Sequence, residues 1–141
     1  MKMKVLVLDD DVYILKTVQD IMGIEGHDVE CCSDAAIAVD KIKASMYDLV
    51  LFDYKMPGRD GIWFIENVNL PAGTKAMLMT AYGNLDLVRR IIAMGACGHI
   101  IKPFTATDLL RHVDFYCSQP VGDQSIAQQN EHVCSPVESV V

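Results

Sequence analysis

Short apolar runs alternate along this chain with longer stretches in which apolar residues recur every three or four positions. The short runs cover residues 5–8, 29–32, 49–52, 75–79 and 98–101. Apolar runs of this length, bounded by turn residues, predict buried β-strands, and the longer period between them predicts amphipathic α-helices. Five strands in strict alternation with five helices indicate an α/β fold, a parallel sheet covered by helices on both faces. The spacing alone leaves the order of the strands open.

Several residues with known capping preferences mark the expected helix boundaries. Asp11, Ser33 and Asn84 each precede a helical segment, where their side chains can accept hydrogen bonds from the first free amides. Thr105 is followed three residues later by Asp108, as in a capping box. These positions predict where four of the five helices begin.

The last part of the chain, residues 118–141, has a different composition. It contains no Lys or Arg, is rich in Gln and Ser, and shows no sustained hydrophobic period. Such a composition predicts a flexible tail, with an element docked on the domain as the alternative. We therefore expect one domain at residues 2–117, followed by this tail.

Charge and cysteine usage narrow the classes of function. The net charge of −7 and the isoelectric point near 4.9 argue against non-specific binding to nucleic acid or to a membrane surface. Five cysteines without a Cys-x-x-Cys pair fit neither a disulfide framework nor a zinc site. The first apolar run is too short for an export signal, and no stretch approaches the length of a membrane span. The expected location is the cytoplasm.

Polar residues follow four of the predicted strands directly. Asp9 and Asp10 follow the first strand, Asp53 the third, Thr80 the fourth and Lys102 the fifth. The carboxyl ends of parallel strands share one edge, where ligands bind in open α/β sheets. Three carboxylates gathered there would repel one another by about 4 kcal/mol per pair at ~4 Å. Because only oxygen ligands are close in sequence, Mg²⁺ is the cation expected to relieve this repulsion.

The same set of residues suits the transfer of a phosphoryl group. Lys102 supplies a positive charge and Thr80 a hydroxyl donor for the phosphoryl oxygens. Asp53 stands alone at the end of its strand and is the candidate nucleophile, which would form an aspartyl phosphate. Taken singly, each residue has an ordinary explanation: a helix-capping acid, a turn hydroxyl, a surface lysine or a strand-end acid. Their joint placement at successive strand ends favours the chemical interpretation.

Four motifs together resemble the receiver domain of two-component response regulators. They lie at residues 5–11, 48–61, 79–83 and 102–104, and the resemblance covers residues 2–117. It implies a doubly wound, flavodoxin-like (βα)5 fold with a five-stranded parallel sheet in the order 2-1-3-4-5. It also implies a cis peptide between the lysine and the proline of the last motif, Lys102 and Pro103.

The resemblance further implies roles for the acidic residues. Asp53 would accept a phosphoryl group from a sensor histidine kinase or a histidine phosphotransfer protein. Asp10, Asp53 and the backbone carbonyl of Lys55 would bind Mg²⁺ or Mn²⁺, with Asp9 contributing through a water molecule. Lys102 would pair with the phosphoryl oxygens. Thr80 would move toward the phosphoryl group and report its arrival.

Three further positions differ among members of the family. His99 stands where the family usually has a Tyr or Phe that switches between inward and outward positions, with an exposed strand-edge histidine of no signalling role as the alternative. Lys55 and Tyr82 each lie two residues after a site residue, where the family tunes hydrolysis. We expect the bulk of Tyr82 to restrict the attacking water and to lengthen the phosphorylated lifetime.

The expected function is a phosphorylation-dependent signalling switch without a recognisable output domain. It would assist only its own phosphoryl transfer and dephosphorylation, and would not act as an enzyme on other substrates. A downstream protein or a second receiver copy would contact the surface at residues 84–94, 99–101 and 105–116. Direct binding to DNA or to a membrane is not expected.

Three alternatives to this function stay open at this point. The chain could be the receiver portion of a longer regulator, or a receiver-like scaffold that is never phosphorylated. It could also be a phosphohydrolase with an aspartyl-phosphate intermediate. The usual second acid of such an enzyme would occupy the position of Lys55, which counts against this last alternative.

Overall fold

The computed structural model describes residues 2–81 and 83–118, and these form five strands and five helices in alternation. The strands are β1 (Lys4–Leu8), β2 (Asp28–Cys32), β3 (Leu49–Asp53), β4 (Lys75–Thr80) and β5 (Gly98–Ile101). The helices are α1 (Val12–Ile24), α2 (Ala35–Ala44), α3 (Gly61–Asn67), α4 (Leu85–Ala93) and α5 (Ala106–Cys117). The predicted alternation is confirmed. The predicted role of Tyr82 and, beyond Ser118, the predicted tail concern residues outside these ranges.

All five strands run parallel, in the order β2-β1-β3-β4-β5. The doubly wound order expected from the resemblance is therefore confirmed. In this order β3 lies in the centre with β1 beside it, and Leu8 is in register with Phe52. Further along the sheet, Thr80 is in register with Ile101. The carboxyl ends of β1, β3, β4 and β5 thus lie side by side on one edge.

Side chains alternate between the two faces of the sheet, and each face has its own core. Helices α2, α3 and α4 cover one face, and α1 and α5 cover the other. Every residue of β3 is buried, as expected for a strand covered on both faces. The strand that delivers Asp53 therefore has little freedom to move. Its five residues are Leu49, Val50, Leu51, Phe52 and Asp53.

The local capping signals agree with the structure at three helices. Asp11 accepts a hydrogen bond from the Tyr13 amide at 2.9 Å, and Asn84 caps α4. Thr105 and Asp108 form the predicted capping box at the start of α5, with both reciprocal hydrogen bonds present. These caps fix where α1, α4 and α5 begin, which is next to the carboxyl edge of the sheet.

The predicted cap of α2 is wrong by one residue. Asp34, not Ser33, accepts hydrogen bonds from the amides of Ala36 and Ile37, at 2.8 and 3.2 Å. Either residue type can cap a helix, so the choice depends on where the chain turns after β2.

Two further observations concern the length of the helices and the state of the cysteines. No helix within the described part of the chain has the length and apolar character needed to cross a membrane. The cysteines at positions 31, 32, 97 and 117 are free thiols. Adjacent residues on a strand point to opposite faces, which separates the first two thiols.

Candidate functional site

Three carboxylates meet at the carboxyl edge of the sheet. Asp9 and Asp10 follow β1 directly, and Asp53 ends β3, the strand beside it. Each of the three offers an oxygen, and these oxygens lie within 4.8 Å of one another. Asp9 is completely buried and Asp53 is 7% exposed, whereas Asp10 is open to solvent. The structure thus brings together the acids that the sequence separates by more than forty positions.

The surroundings of Asp53 shift the pKa of its carboxyl group. Burial raises the pKa of its carboxyl to about 6, and the negative charge of Asp9 adds to this effect. The ammonium of Lys102 and the backbone amide of Tyr54 oppose the rise in pKa. The Tyr54 amide donates to Asp53 Oδ1 at 2.9 Å. At neutral pH the group is therefore a poorly solvated carboxylate held in one orientation, which is suited to act as a nucleophile.

Lys102 is the positive group of the site. Its Nζ donates to Asp9 Oδ2 at 2.6 Å and lies 3.3 Å from Asp53 Oδ1. Its side chain is only 14% exposed, which excludes the interpretation of Lys102 as an ordinary surface lysine. The peptide bond between Lys102 and Pro103 is cis, as the resemblance predicts. The lysine thus bridges the buried acid and the candidate nucleophile.

The chemistry of the donor set fits a hard divalent cation. All three clustered side chains offer oxygen, and Asp10 is exposed and accessible to an ion. Both oxygens of Asp9 already have partners, since Oδ1 accepts from the Asp11 amide at 2.9 Å and Oδ2 from Lys102. Because both oxygens are already engaged, Asp9 suits the expected role of contributing to the metal site through a water molecule.

The loop that follows Asp53 borders a cleft beside the site. The cleft has a volume of about 530 Å³ and lies between this loop and the start of α4. Lys55, the residue whose carbonyl is expected to bind the metal, is one of its lining residues. The others are Tyr54, Met56, Asp60, Asn84 and Leu87.

Thr80 and His99 lie on the same face of the sheet on neighbouring strands. Thr80 is completely buried and lies two residues beyond Leu78, which is in register with His99. Residues two apart on a strand share a face, so Thr80 and His99 are diagonal neighbours. This register connects the carboxyl edge of the sheet with the middle of β5.

His99 is 2% exposed, so the alternative of an exposed strand-edge histidine is wrong. Burial, with a smaller contribution from the nearby His112, lowers the pKa of its imidazole to about 4. Within the described residues, its Nδ1 is buried without a hydrogen-bond partner. At neutral pH the ring is therefore uncharged. A sequence pattern could not show this, because burial at an edge strand depends on how the neighbouring helices cover it.

Sequence reasoning missed Gly61, the first residue of α3. Its amide donates to the Tyr54 carbonyl at 2.6 Å, immediately beyond Asp53. One signal was available, because glycine is not a favoured residue at the first position of a helix. Glycine at such a position suggests that a side chain has no room there.

Comparison with known proteins agrees with this geometry. The family described as "Response regulator receiver domain" matches residues 5–114. The chain is 31% identical over 117 residues to sporulation initiation phosphotransferase F of Bacillus subtilis (strain 168), covering 82% of this chain and 94% of that protein.

Two solved structures show the same fold with related sequences. A CheY-like receiver domain protein from Methanospirillum hungatei superposes with a TM-score of 0.77 at 30% identity, over 84% of this chain and 95% of that one. A chain of the CheX–CheY–BeF3–Mg²⁺ complex from Borrelia burgdorferi gives a TM-score of 0.74 at 30% identity, over 78% and 85%. The chain belongs to the family of response regulator receiver domains of two-component signalling.

Proposed function

We propose that this chain is a phosphorylation-dependent switch whose phosphoacceptor is Asp53. The observation that carries the proposal is the meeting of a buried, activated carboxylate with two further acids and one lysine at a single sheet edge. An oxygen of Asp53 would attack the phosphorus atom of a phosphohistidine. The bond between phosphorus and the imidazole nitrogen breaks as the new phosphorus–oxygen bond forms, and the imidazole leaves with the electron pair. Sensor histidine kinases and histidine phosphotransfer proteins are the donors with which receiver domains interact.

The acidic pocket supports a role for Mg²⁺ or Mn²⁺. Asp10, Asp53 and the carbonyl of Lys55 would hold the cation, with Asp9 acting through water. When bound, the cation supplies positive charge that offsets the negative charge on the transferring oxygens. Asp10 offers the exposed oxygen through which an ion can enter from solvent.

Lys102 and Thr80 would then respond to the new group. The ammonium of Lys102 is already 3.3 Å from Asp53 Oδ1 and can donate to a phosphoryl oxygen with little movement. The Thr80 hydroxyl would donate to a second phosphoryl oxygen from the neighbouring strand. Phosphorylation adds close to two negative charges at a residue surrounded by acids, so new donors are required for it.

The output surface would be formed by α4, β5 and α5. Thr80 and His99 share a face of the sheet, so movement of Thr80 toward the site changes the packing next to His99. A downstream protein or a second copy of the chain would read this change. The complex of CheX with CheY in the Borrelia structure shows a receiver of the family assembled with another protein.

The domain would assist only its own phosphorylation and dephosphorylation. Lys55 occupies the position where an aspartyl-phosphate phosphohydrolase has its second acid, so general acid catalysis on an outside substrate has no suitable group there. The complete set of three acids and a lysine argues against a scaffold that is never phosphorylated.

The test is labelling by a small acyl phosphate in the presence and absence of Mg²⁺. The wild-type protein and an Asp20→Asn control, altered on the exposed face of α1, should both be labelled when Mg²⁺ is present. Asp53→Asn should not be labelled. Equal labelling of all three proteins, or labelling of none, would contradict the proposal.

A further inference from the structure

We propose that Gly61 is a positioning residue for Asp53, which sets the place of the phosphoacceptor carboxylate because it has no side chain. The inference rests on the proposed function, since it concerns the same reaction. Gly61 would contact neither the phosphoryl group nor the metal directly. It would act through the backbone of Asp53 and Tyr54, against which the start of α3 packs.

The contact between Gly61 and the end of β3 leaves no room for a side chain. A Cβ atom at position 61 would lie 2.6 Å from the backbone oxygen of Asp53 and 2.8 Å from the Cα of Tyr54. Both are backbone atoms, so no side-chain rotation could relieve the clash. Gly61 does not have a positive φ, unlike Gly26, Gly58 and Gly95. The requirement for glycine at this position is therefore one of space.

Tyr54 connects this contact to the carboxylate. Its carbonyl accepts a hydrogen bond from the Gly61 amide at 2.6 Å. Its own amide donates to Asp53 Oδ1 at 2.9 Å. The backbone of one residue thus contacts Gly61 on one side and orients the nucleophile on the other. Any displacement of Tyr54 would move the donor that holds the Asp53 carboxylate.

Helix α3 is too firmly packed to retreat from such a displacement. The Asp60 side chain caps the helix by accepting from the Trp63 amide at 2.9 Å. Phe64 is completely buried, and its ring lies 5.1 Å from that of Phe52 on β3. Since the buried body of β3 is held as firmly as the helix, the clash from a Cβ at position 61 would be taken up where the strand ends, in the backbone of Asp53 and Tyr54.

The same contact closes the loop that contains Lys55. Residues 55–60 lie between the two partners of the hydrogen bond from Gly61 to Tyr54. The carbonyl of Lys55 is the expected backbone ligand of the metal. A change at position 61 should therefore weaken cation binding as well as phosphoryl transfer, which gives a measurement that does not depend on phosphorylation.

Three glycine-to-alanine variants separate positioning from stability. Gly61→Ala is the test. Gly98→Ala is the control for a tight glycine away from the site, because its Cβ would lie 2.1 Å from the Tyr116 ring at the start of β5. Gly73→Ala is the control for an open glycine, with nothing within 4 Å of its Cβ. All three are labelled with acyl phosphate, titrated calorimetrically with Mg²⁺ alone, and unfolded with urea.

We expect Gly61→Ala to lose about tenfold in labelling rate per folded molecule, since misplacement of a reacting group by less than 1 Å has effects of this order. Its Mg²⁺ affinity should fall as well. Gly98→Ala should unfold at lower urea but label and bind Mg²⁺ like the wild type when folded. Gly73→Ala should match the wild type throughout.

The proposal is overturned if Gly61→Ala is labelled and binds Mg²⁺ as the wild type does. It is also overturned if Gly98→Ala loses as much labelling rate and Mg²⁺ affinity as Gly61→Ala. If the wild type itself is not labelled, the proposed function fails, and the Mg²⁺ titrations still decide the positioning. If Gly61→Ala does not fold, an NMR titration of the wild-type protein with Mg²⁺ tests the proposal instead. Mg²⁺ should shift the amide resonances of Tyr54 and Gly61 and leave that of Gly98 unchanged. An unmoved Gly61 resonance would overturn the proposal.

Discussion

The ammonium of Lys102 lies 2.6 Å from a carboxylate oxygen of Asp9, a residue 93 positions away along the chain. Asp9 is completely buried, so this ion pair compensates for the solvation that its carboxylate loses on burial. Asp53 competes for the same ammonium from 3.3 Å. A phosphoryl group on Asp53 would strengthen this competition, so phosphorylation would change how the one lysine is shared between the two acids.

The first prediction is that Lys102→Met destabilises the fold and that Mg²⁺ restores part of the loss. Without its partner, the buried carboxylate of Asp9 is left uncompensated, which costs about 3 kcal/mol. Urea unfolding at neutral pH, with and without Mg²⁺, measures both effects. Lys16→Met, which removes an exposed ion pair with Asp20, should change little. A Lys102→Met protein as stable as the wild type without Mg²⁺ would show that the pair is not needed.

The second prediction is that Asp53→Asn stabilises the protein at neutral pH. Folding raises the pKa of Asp53 from 3.8 to about 6, so the native state holds its proton more tightly than the unfolded state. The contribution of Asp53 to wild-type stability should therefore fall as pH rises from about 4 to 6, and removing its charge should recover about 1–3 kcal/mol above that range. Urea unfolding with a chelator present at pH 7.5 and pH 3.5 tests this. A gain that is equally large at pH 3.5 would point to another cause.

The third prediction concerns mild acid and His99. Its pKa in the folded protein is lowered to about 4, so as pH falls below 6.5 the unfolded state takes up a proton before the native state does. Stability should drop between pH 6.5 and pH 4 by up to about 3 kcal/mol from this group. The pKa of His112 is lowered as well, which acts in the same direction.

The His99→Phe variant provides the measurement. It keeps a ring of similar size, removes the titrating group and removes the buried nitrogen that has no hydrogen-bond partner among the described residues. From pH 4.5 to 7.5 the urea midpoint of this variant should rise less steeply with pH than that of the wild type, with the part of the rise due to His112 retained. An unchanged slope would assign the pH dependence to groups other than His99.

The fourth prediction concerns the lifetime of the phosphorylated state. Tyr82 lies two residues after Thr80, where a large side chain would restrict the water that attacks the aspartyl phosphate. Tyr82→Ala should therefore lose phosphate several-fold faster, with Tyr82→Phe as the control that keeps the ring. The decay of labelled protein after removal of the phosphodonor gives the rate, and equal decay of all three proteins would remove Tyr82 from the account.

Features encoded locally could be predicted from the sequence. The apolar runs located the strands, and the Thr105–Asp108 spacing located a capping box because both partners lie within one helical turn. The cap of α2 was displaced by one residue, since Ser33 and Asp34 are both competent and tertiary packing selects between them. The alternation of elements predicted the sheet, but the order of its strands came only from the resemblance to a family.

Features that depend on contacts between distant residues could not be predicted. The burial of His99 follows from how helices cover β5, and the need for glycine at position 98 follows from the Tyr116 ring of α5. The charge pairing of Lys102 with Asp9 depends on two strands that are far apart in the sequence. In each case the sequence offers several acceptable partners, and only the packed sheet selects one.

The anchoring of α5 has a consequence for how a signal could leave the domain. The capping box holds its first turn beside the site, and the Lys75 ammonium donates to the Tyr116 carbonyl at 2.7 Å near its last turn. Of the residues of helix α4, only Val88 and Ile91 are buried. On the proposed output surface, α5 would then be the fixed element, and the less buried α4 would be the helix whose displacement a partner senses.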